Sequence, residues 1–431
     1  MPRILDVYLH QQLVGKLRQD DSGNMSFDYV EAWLANPKAT PLSQSLPLDM
    51  KHFNRRACRG FFAGVLPDEN KREVIARNIG VSARNDFAML ELLGGECAGA
   101  VTFLPEGQAI PDHDYKYRQL TNHELAEKLR ALPKRPLLAG EKGIRLSLAG
   151  AQDKVAVHVF NGQVSIPLDS SPSTHILKPA TPHFAGVVFN EAFCMRLAKA
   201  VGLTTANVET GKVEDIDYLL VERYDRAPVD STGEAKQPEQ QRLRREHQED
   251  FCQALGIVPE QKYQSEGGPN LKQCFALVRE SSVAPVIDLQ ALLDAVIFNW
   301  LVGNNDAHGK NFSFLYRGDT NSGLQIRLAP LYDVVCTIYY PELSKTMAMK
   351  IGGEYLGERV SRSHFERLAV DAGLAKSIVT RRVAELGETI ISALPNVAPG
   401  HPITEAVGRV IQQRCESLLP RFKKSSQPRG S

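Results

Sequence analysis

Residues 288–311 read DLQALLDAVIFNWLVGNNDAHGKN, and the reading of this stretch decides the rest of the chain. Its first sixteen residues are apolar on too many sides for a surface helix, so they predict a buried core helix that ends at Gly303. The loop that follows packs Asp306, His308, Lys310 and Asn311 into a few residues at the end of that rigid element, a good mount for a site. Asn, Asp and Gly alone would suit a structural turn, because they tolerate turn conformations and bond their own backbone. The histidine and lysine make that reading incomplete.

Asp306 and Asn311 are separated by four residues, the D-x-x-x-x-N spacing of kinase catalytic loops. In that chemistry the aspartate takes or orients the proton of the attacking hydroxyl, and the asparagine oxygen helps hold a divalent metal. The spacing alone is weak, because both residues are common in loops. Downstream, APLYDVV offers Asp333 after an apolar strand, a second oxygen ligand for Mg²⁺ or the cap of a turn. Upstream, HILKP puts Lys178 at a strand end and FNEAF puts Glu191 on the next helix, an ammonium for nucleotide phosphates and a carboxylate to hold it. A strand lysine can equally snorkel to solvent. Between the first strands of this region there is neither G-x-x-x-x-G-K-[ST] nor G-x-G-x-x-G, which argues against a P-loop ATPase or a Rossmann dehydrogenase. The small residues Ala149, Gly150 and Ala151, with Lys154 behind them, could instead bring backbone N–H groups to phosphate.

The surrounding chain fits an ordinary globular protein. Its 431 residues allow two or three domains at about 150 residues each. The 51 Lys and Arg nearly cancel the 50 Asp and Glu, so no global field draws the chain to nucleic acid or an anionic membrane. Seven dispersed cysteines without a C-x-x-C pair indicate neither a disulfide framework nor a zinc site. No signal-peptide core and no run of 18 apolar residues is present, which predicts a cytoplasmic protein with no membrane partner.

Residues 1–105 read as an α+β unit opening on a strand and the DDSGN turn, and 106–143 as a linker, PEGQAIPDHDYKY, with the helix TNHELAEKLRAL. Residues 144–225 read as strands (IRLSLAG, KVAVHVF, VSIPL, THILKP, YLLVERY) around one helix. Residues 226–422 read as mostly helical, broken by a hairpin across RGDTNSG, and 423–431 as a disordered tail. Taken in order, small-residue loop, strand lysine, helix glutamate, strand ending VERY, buried helix, D-x-x-x-x-N and Asp333 follow the linear plan of a bilobed kinase. VERY then becomes a hinge whose backbone at Glu222 and Tyr224 could bond an adenine edge.

These stretches, with PLSQSLPL (41–48), LPDE (66–69), GGECAGAVTFLPE (94–106), SLAGAQDK (147–154), VERYDR (221–226), EDFCQALG (249–256), KYQSEGGP (262–269), GNNDAHGKNFS (303–313) and PLYD (330–333), make the chain resemble the HipA family of kinase toxins. The resemblance implies an α+β fold: a bilobed, distant protein-kinase-like core, an additional N-terminal α+β domain and an all-helical C-terminal region. It implies an ATP- and Mg²⁺-dependent Ser/Thr protein kinase with Asp306 as base and Asn311 and Asp333 as metal ligands. ATP would meet Ala149, Gly150, Ala151, Gln152, Asp153, Lys154, Lys178, Glu222, Arg223, Tyr224, His308, Gly309, Lys310, Asn311, Tyr332 and Asp333. Ser147 matches an autophosphorylation site whose dianion would repel ATP. The implied partners are a HipB-like helix-turn-helix antitoxin dimer, operator DNA through that antitoxin, and a protein substrate such as an aminoacyl-tRNA synthetase. Arg359 and Arg362 are candidates for DNA phosphate contacts or for a solvated charge pair. Two other readings of the same residues are a catalytically idle co-repressor and a small-molecule kinase.

Overall fold

The computed structural model describes residues 3–108, 110, 115–228, 243–319 and 323–422. The tail 423–431, the tip of the RGDTNSG turn and part of the PEGQAIPDHDYKY stretch lie outside the described residues. The chain divides into two compact units, one of residues 1–180, 206–262 and 312–329, the other of 181–205, 263–311 and 330–431.

The first unit is built on two antiparallel sheets. Strands Arg3–Leu9, Gln12–Gln19, Met25–Tyr29, His52–Phe53 and Val101–Pro105 form one, with Arg3–Leu9 between Gln12–Gln19 and Val101–Pro105. Alternation in VYL and MSFDY sends Val7, Leu9, Phe27 and Tyr29 inward, where Phe27 and Tyr29 meet Phe53 and Phe62 from the helix Arg55–Gly64. The second sheet runs in the order 208–213, 216–222, 175–179, 155–160, 163–168, 116–119. Val155, Ala156, Val157, Ile166 and Leu177 join the same apolar core as the first sheet. The helix Asn122–Ala131 starts where TNHE predicts it, with a capping box between Thr121 and Glu124.

Three local readings change. IRLSLAG is no strand: only Leu146 makes an isolated parallel bridge, to Glu96, and the segment then turns through Gly150 at φ 104°. A small-residue run with a left-handed glycine forms an irregular loop more readily than a strand. Residues 116–119, in the stretch read as linker and helix, form the edge strand of the second sheet. Residues 247–250 pair with 313–319, which pairs with 323–328, so strand structure continues beyond the hairpin recognised in the sequence.

The second unit is mainly helical, with one small hairpin, Thr346–Ile351 and Glu354–Leu356. From Arg362 to Arg421 every element is helical, as expected of the C-terminal region. Its axis is the helix Pro285–Val302, which starts on Pro285 in the first turn and ends on left-handed Gly303. Leu292, Leu293, Ile297, Phe298, Leu301 and Val302 are all buried, at about 1.5–3 kcal/mol for each fully buried large side chain. By length and composition this helix could cross a membrane, but 67% of it is buried inside the unit, as the core helix of a folded body. Trp300 packs with Phe365 and Phe422 and donates its indole N–H to the Gly357 carbonyl at 2.8 Å, tying the C-terminal helices to this axis.

Candidate active site

The helix Pro285–Val302 delivers the loop 304–311 in a fixed pose. A side chain on Gly303 would meet Ile338 Cδ1 at 2.4 Å, so the residue at the helix end is glycine for space as well as for its φ of 73°. The Asn304 amide donates to Asn299 Oδ1 (2.7 Å), and Asn304 Oδ1 accepts the Asp306 N–H (3.1 Å). Asn305 takes a hydrogen bond from the Ala348 N–H at its carbonyl (2.7 Å) and donates its side-chain amide to the Ser344 carbonyl (3.0 Å). The Asp306 carbonyl accepts from the His308 N–H (2.8 Å) and from the Asn311 amide (3.2 Å). Asn304, Asn305, His308, Lys310 and Asn311 are buried, whereas Asp306 is exposed. One carboxylate thus stands out from a loop whose other polar side chains are held within the unit. The Tyr263 hydroxyl donates to its Oδ1 at 2.8 Å.

Asp333 belongs to the same unit and has φ 58°, a left-handed conformation that costs an ordinary residue about 1 kcal/mol or more. The Tyr332 hydroxyl donates to the Lys310 carbonyl at 2.7 Å, so the neighbours of Asp333 and Asn311 are joined directly. Asn190, on the helix Val187–Ala200, fixes the segment after Asp333 by bonding both the N–H (2.9 Å) and the carbonyl (3.1 Å) of Cys336. Asn311 donates its amide nitrogen inside the loop, which turns its amide oxygen the other way. An amide oxygen and a carboxylate are hard donors of the kind Mg²⁺ takes beside phosphate and water.

Ser147, the small-residue loop 149–154, Lys178 and the hinge lie in the first unit, on or beside adjacent strands of the second sheet. Val155, directly after Lys154, pairs with Leu177, next to Lys178; Lys178 pairs with Leu219, and Glu222 with His175. The small-residue loop, the lysine and the hinge therefore follow one another across three strands. Ser147 is fully buried, with Oγ donating to the Val65 carbonyl (2.9 Å) and N–H donating to the Glu96 carbonyl (2.9 Å). Lys154 Nζ donates to the Ala149 carbonyl at 2.7 Å, and Asp153 pairs with Lys71 at 2.5 Å. At the hinge the Glu222 and Arg223 N–H groups donate to the Asn207 and Thr174 carbonyls, both at 2.9 Å, so these two donors are already used within the sheet. Glu191 belongs to the second unit and Lys178 to the first. Arg362 is engaged by Glu366 at 2.9 Å on its own helix, and Arg359 is exposed.

Sequence reading gave no role to several residues that hold these parts. The Arg223 side chain belongs to a buried charge cluster: Glu96 Oε1 lies 3.2 Å from Arg223 and 2.8 Å from Arg226, Glu96 Oε2 lies 2.6 Å from Arg245, and Asp225 Oδ2 lies 2.7 Å from Arg223 and 2.9 Å from Arg226. Burial pushes the Glu96 carboxyl up, but Arg226, Arg245 and Arg223 outweigh it and hold it below the usual range. Glu249 is the opposite case. Buried, it accepts from the Ser43 and Tyr316 hydroxyls and from the Gln44 N–H (2.9 Å), and burial raises its carboxyl to about 7 against those donors. PLSQSLPL and EDFCQALG thus meet in space. Their sequence signal is their place among the stretches that carry the family resemblance, and the same holds for Tyr263 in KYQSEGGP.

A family model described as the HipA-like C-terminal domain matches residues 146–394, and one described as the HipA N-terminal domain matches residues 5–104. The chain belongs to the HipA family. This HipA-family chain is 46% identical to the candidate kinase Y4mE of Sinorhizobium fredii over 92% of each chain. It is 28% identical to the serine/threonine-protein kinase toxin HipA of Shewanella oneidensis, over 91% of this chain and 89% of that one. A solved complex of Shewanella oneidensis HipA, HipB and operator DNA contains a chain that superposes with a TM-score of 0.81 at 27% identity, covering 97% of this chain and 98% of the other. The α+β, kinase-like HipA fold with its extra N-terminal domain is therefore the fold of this chain.

Proposed function

We propose that this HipA-family chain is an ATP- and Mg²⁺-dependent Ser/Thr protein kinase, the toxin of a type II toxin–antitoxin pair in the cytoplasm. The observation that carries the proposal is Asp306, an exposed carboxylate fixed at the end of a buried helix and followed five residues later by the tethered Asn311. In this reading the acceptor hydroxyl oxygen attacks the γ-phosphorus, the bond to the β–γ bridging oxygen breaks, ADP leaves, and the hydroxyl proton passes to the Asp306 carboxylate. Asn311 and Asp333 would hold Mg²⁺, which would spread the charge of the phosphates. Lys178 would meet the nucleotide phosphates and residues 149–154 would line them with backbone N–H groups, while the Glu222 carbonyl and Tyr224 would bound the adenine.

Ser147 is the proposed autophosphorylation site. Its complete burial means that the loop must leave its pocket to be modified, and a dianion could not return to a place where the hydroxyl donates to a carbonyl. The complex formed by the Shewanella relative supports a HipB-like antitoxin dimer and operator DNA as partners, and a translation component such as an aminoacyl-tRNA synthetase as the protein substrate is the finer part of the proposal. The test is intact-mass analysis of phosphate-free protein after incubation with ATP and Mg²⁺. A phosphate-sized gain that Asp306→Asn and Ser147→Ala each remove is the expected result. No gain in the wild type, or an undiminished gain in Asp306→Asn, refutes the assignment.

A further inference from the structure

The motif KYQSEGGP places Tyr263 against the proposed base from 43 residues upstream. Tyr263 opens a 3-10 turn, Gln264–Glu266, and its carbonyl accepts from the N–H groups of Glu266 and Gly268, both at 2.9 Å. Gly267 supplies the left-handed residue that the turn needs, at φ 99°. The neighbouring Gln264 accepts the Lys350 N–H at Oε1 (2.8 Å), which pins the turn to the strand Thr346–Ile351. Two residues earlier on that strand, the Ala348 N–H donates to the Asn305 carbonyl at 2.7 Å and pins the loop that carries Asp306. The tyrosine and the aspartate are thus registered on one strand, and their contact is set by backbone rather than by chance approach of half-buried Tyr263 to exposed Asp306. The Tyr263 ring also stands edge-on to the His308 ring, 5.3 Å between centroids and 83° between planes, which limits where the phenol can go.

We infer that Tyr263 is a positioning residue for the proposed base: its hydroxyl holds Asp306 Oδ1 so that the carboxylate cannot turn freely and presents its second oxygen in one direction. A hydrogen bond donated to a carboxylate also favours its ionised form, the form a base must have. This inference rests on the kinase reading of Asp306. Tyr263→Phe keeps the ring against His308 and removes only the hydroxyl.

The experiment measures phosphate transfer from ATP with Mg²⁺ to a generic Ser/Thr acceptor such as casein, as initial rates across pH, for wild type and Tyr263→Phe. The expected result is a maximal rate lower by about ten- to a hundredfold, the scale of a misplaced catalytic group. Half-saturating ATP should stay within about twofold, because the substitution keeps the ring on His308 and removes only the hydroxyl that holds Asp306, and the acid limb of the pH profile should move to higher pH. A residue that merely supported the fold would not move that limb. An unchanged rate and limb overturn the inference. So does a faster Tyr263→Phe, which would make the phenol a competitor of the acceptor hydroxyl.

A second readout does not depend on activity. The ultraviolet pH titration of Tyr263, taken as the difference between a protein and its Tyr263→Phe counterpart, should lie at higher pH with Asp306 present than with Asp306→Asn, because a phenol donating to a carboxylate resists ionisation. Equal titrations refute the contact. If the wild type transfers no phosphate while this titration behaves as expected, the kinase reading has failed and the link between the two side chains has not.

Discussion

Replacing Glu96 by glutamine keeps the size and shape of the side chain and removes one charge from the buried cluster of the first unit. In the native protein Glu96 faces three arginines, Arg223, Arg226 and Arg245, and shares the first two with Asp225. It also accepts from the Ser173 N–H at 3.0 Å and the Ser173 hydroxyl at 2.8 Å. All these groups except Arg245 are almost wholly buried, so water cannot replace a lost partner. Removing one member of a buried pair leaves its partner charged and uncompensated, at about 3–5 kcal/mol. Arg223 and Arg226 left with the single carboxylate of Asp225, and Arg245 left without Glu96, put Glu96→Gln within that range, softened only by the amide oxygen that still accepts from Ser173. For a unit of this size the loss lowers Tm by roughly 10 °C. The assay is thermal unfolding at neutral pH, with Glu96→Asp as a control that keeps the charge. Because Arg223 stands in the hinge segment, nucleotide affinity should fall in Glu96→Gln as well. A Tm within a degree of wild type would refute the reasoning. It would mean that the cluster does not bear on stability and that its arginines find other partners.

Other outcomes follow from single residues. His158 is fully buried, has no hydrogen-bond partner on either ring nitrogen among the described residues, and stacks on Tyr117 at 4.0 Å; burial, then His175, lowers its pKa to about 4. Between about pH 6.5 and 4 the unfolded chain binds a proton that the folded one refuses, so up to about 3 kcal/mol of stability, present in full above pH 6.5, is lost as pH falls; denaturant unfolding of His158→Phe should show a shallower slope than wild type, the remainder belonging to buried His247. Gly303→Ala forces a left-handed alanine whose Cβ meets Ile338, and should destabilise by about 2–4 kcal/mol while reducing phosphate transfer, measured by urea unfolding and the mass assay. Ser147→Asp puts a charge where the hydroxyl donates to the Val65 carbonyl; calorimetric ATP affinity should fall by about tenfold or more, whereas Ser147→Ala should cost only about 1 kcal/mol of stability.

The parts of the candidate site that the sequence disclosed are those whose signal is local. DLQALLDAVIFNWLVG carries its burial and its glycine stop within one stretch, and Asp306 and Asn311 carry their spacing in one loop. Lys178 and Asp333 each sit at the end of an apolar run, which is how a sheet or loop presents a side chain. What the sequence could not disclose depends on groups far apart along the chain. Tyr263 reaches Asp306 because two segments share one strand, and Glu249 meets Ser43 across 206 residues. The strands 116–119 and 247–250 are short and mixed in polarity, and exist because a neighbour offers its edge. IRLSLAG has the alternation of a strand but no such neighbour beyond the single bridge at Leu146, so it forms the loop that buries Ser147.

The α+β class, the buried helix and the order of the chemical groups are legible in the amino acids alone, because hydrophobic period, glycine stops and short spacings are properties of adjacent residues. Only the folded chain shows which oxygen of Asp306 is held and by what, that Ser147 is sealed against the Val65 carbonyl, and that the Arg223 side chain pairs with Glu96 and Asp225. Those outcomes rest on hydrogen bonds and ion pairs between residues tens to hundreds of positions apart, whose energy exists only once the chain has closed the loops between them.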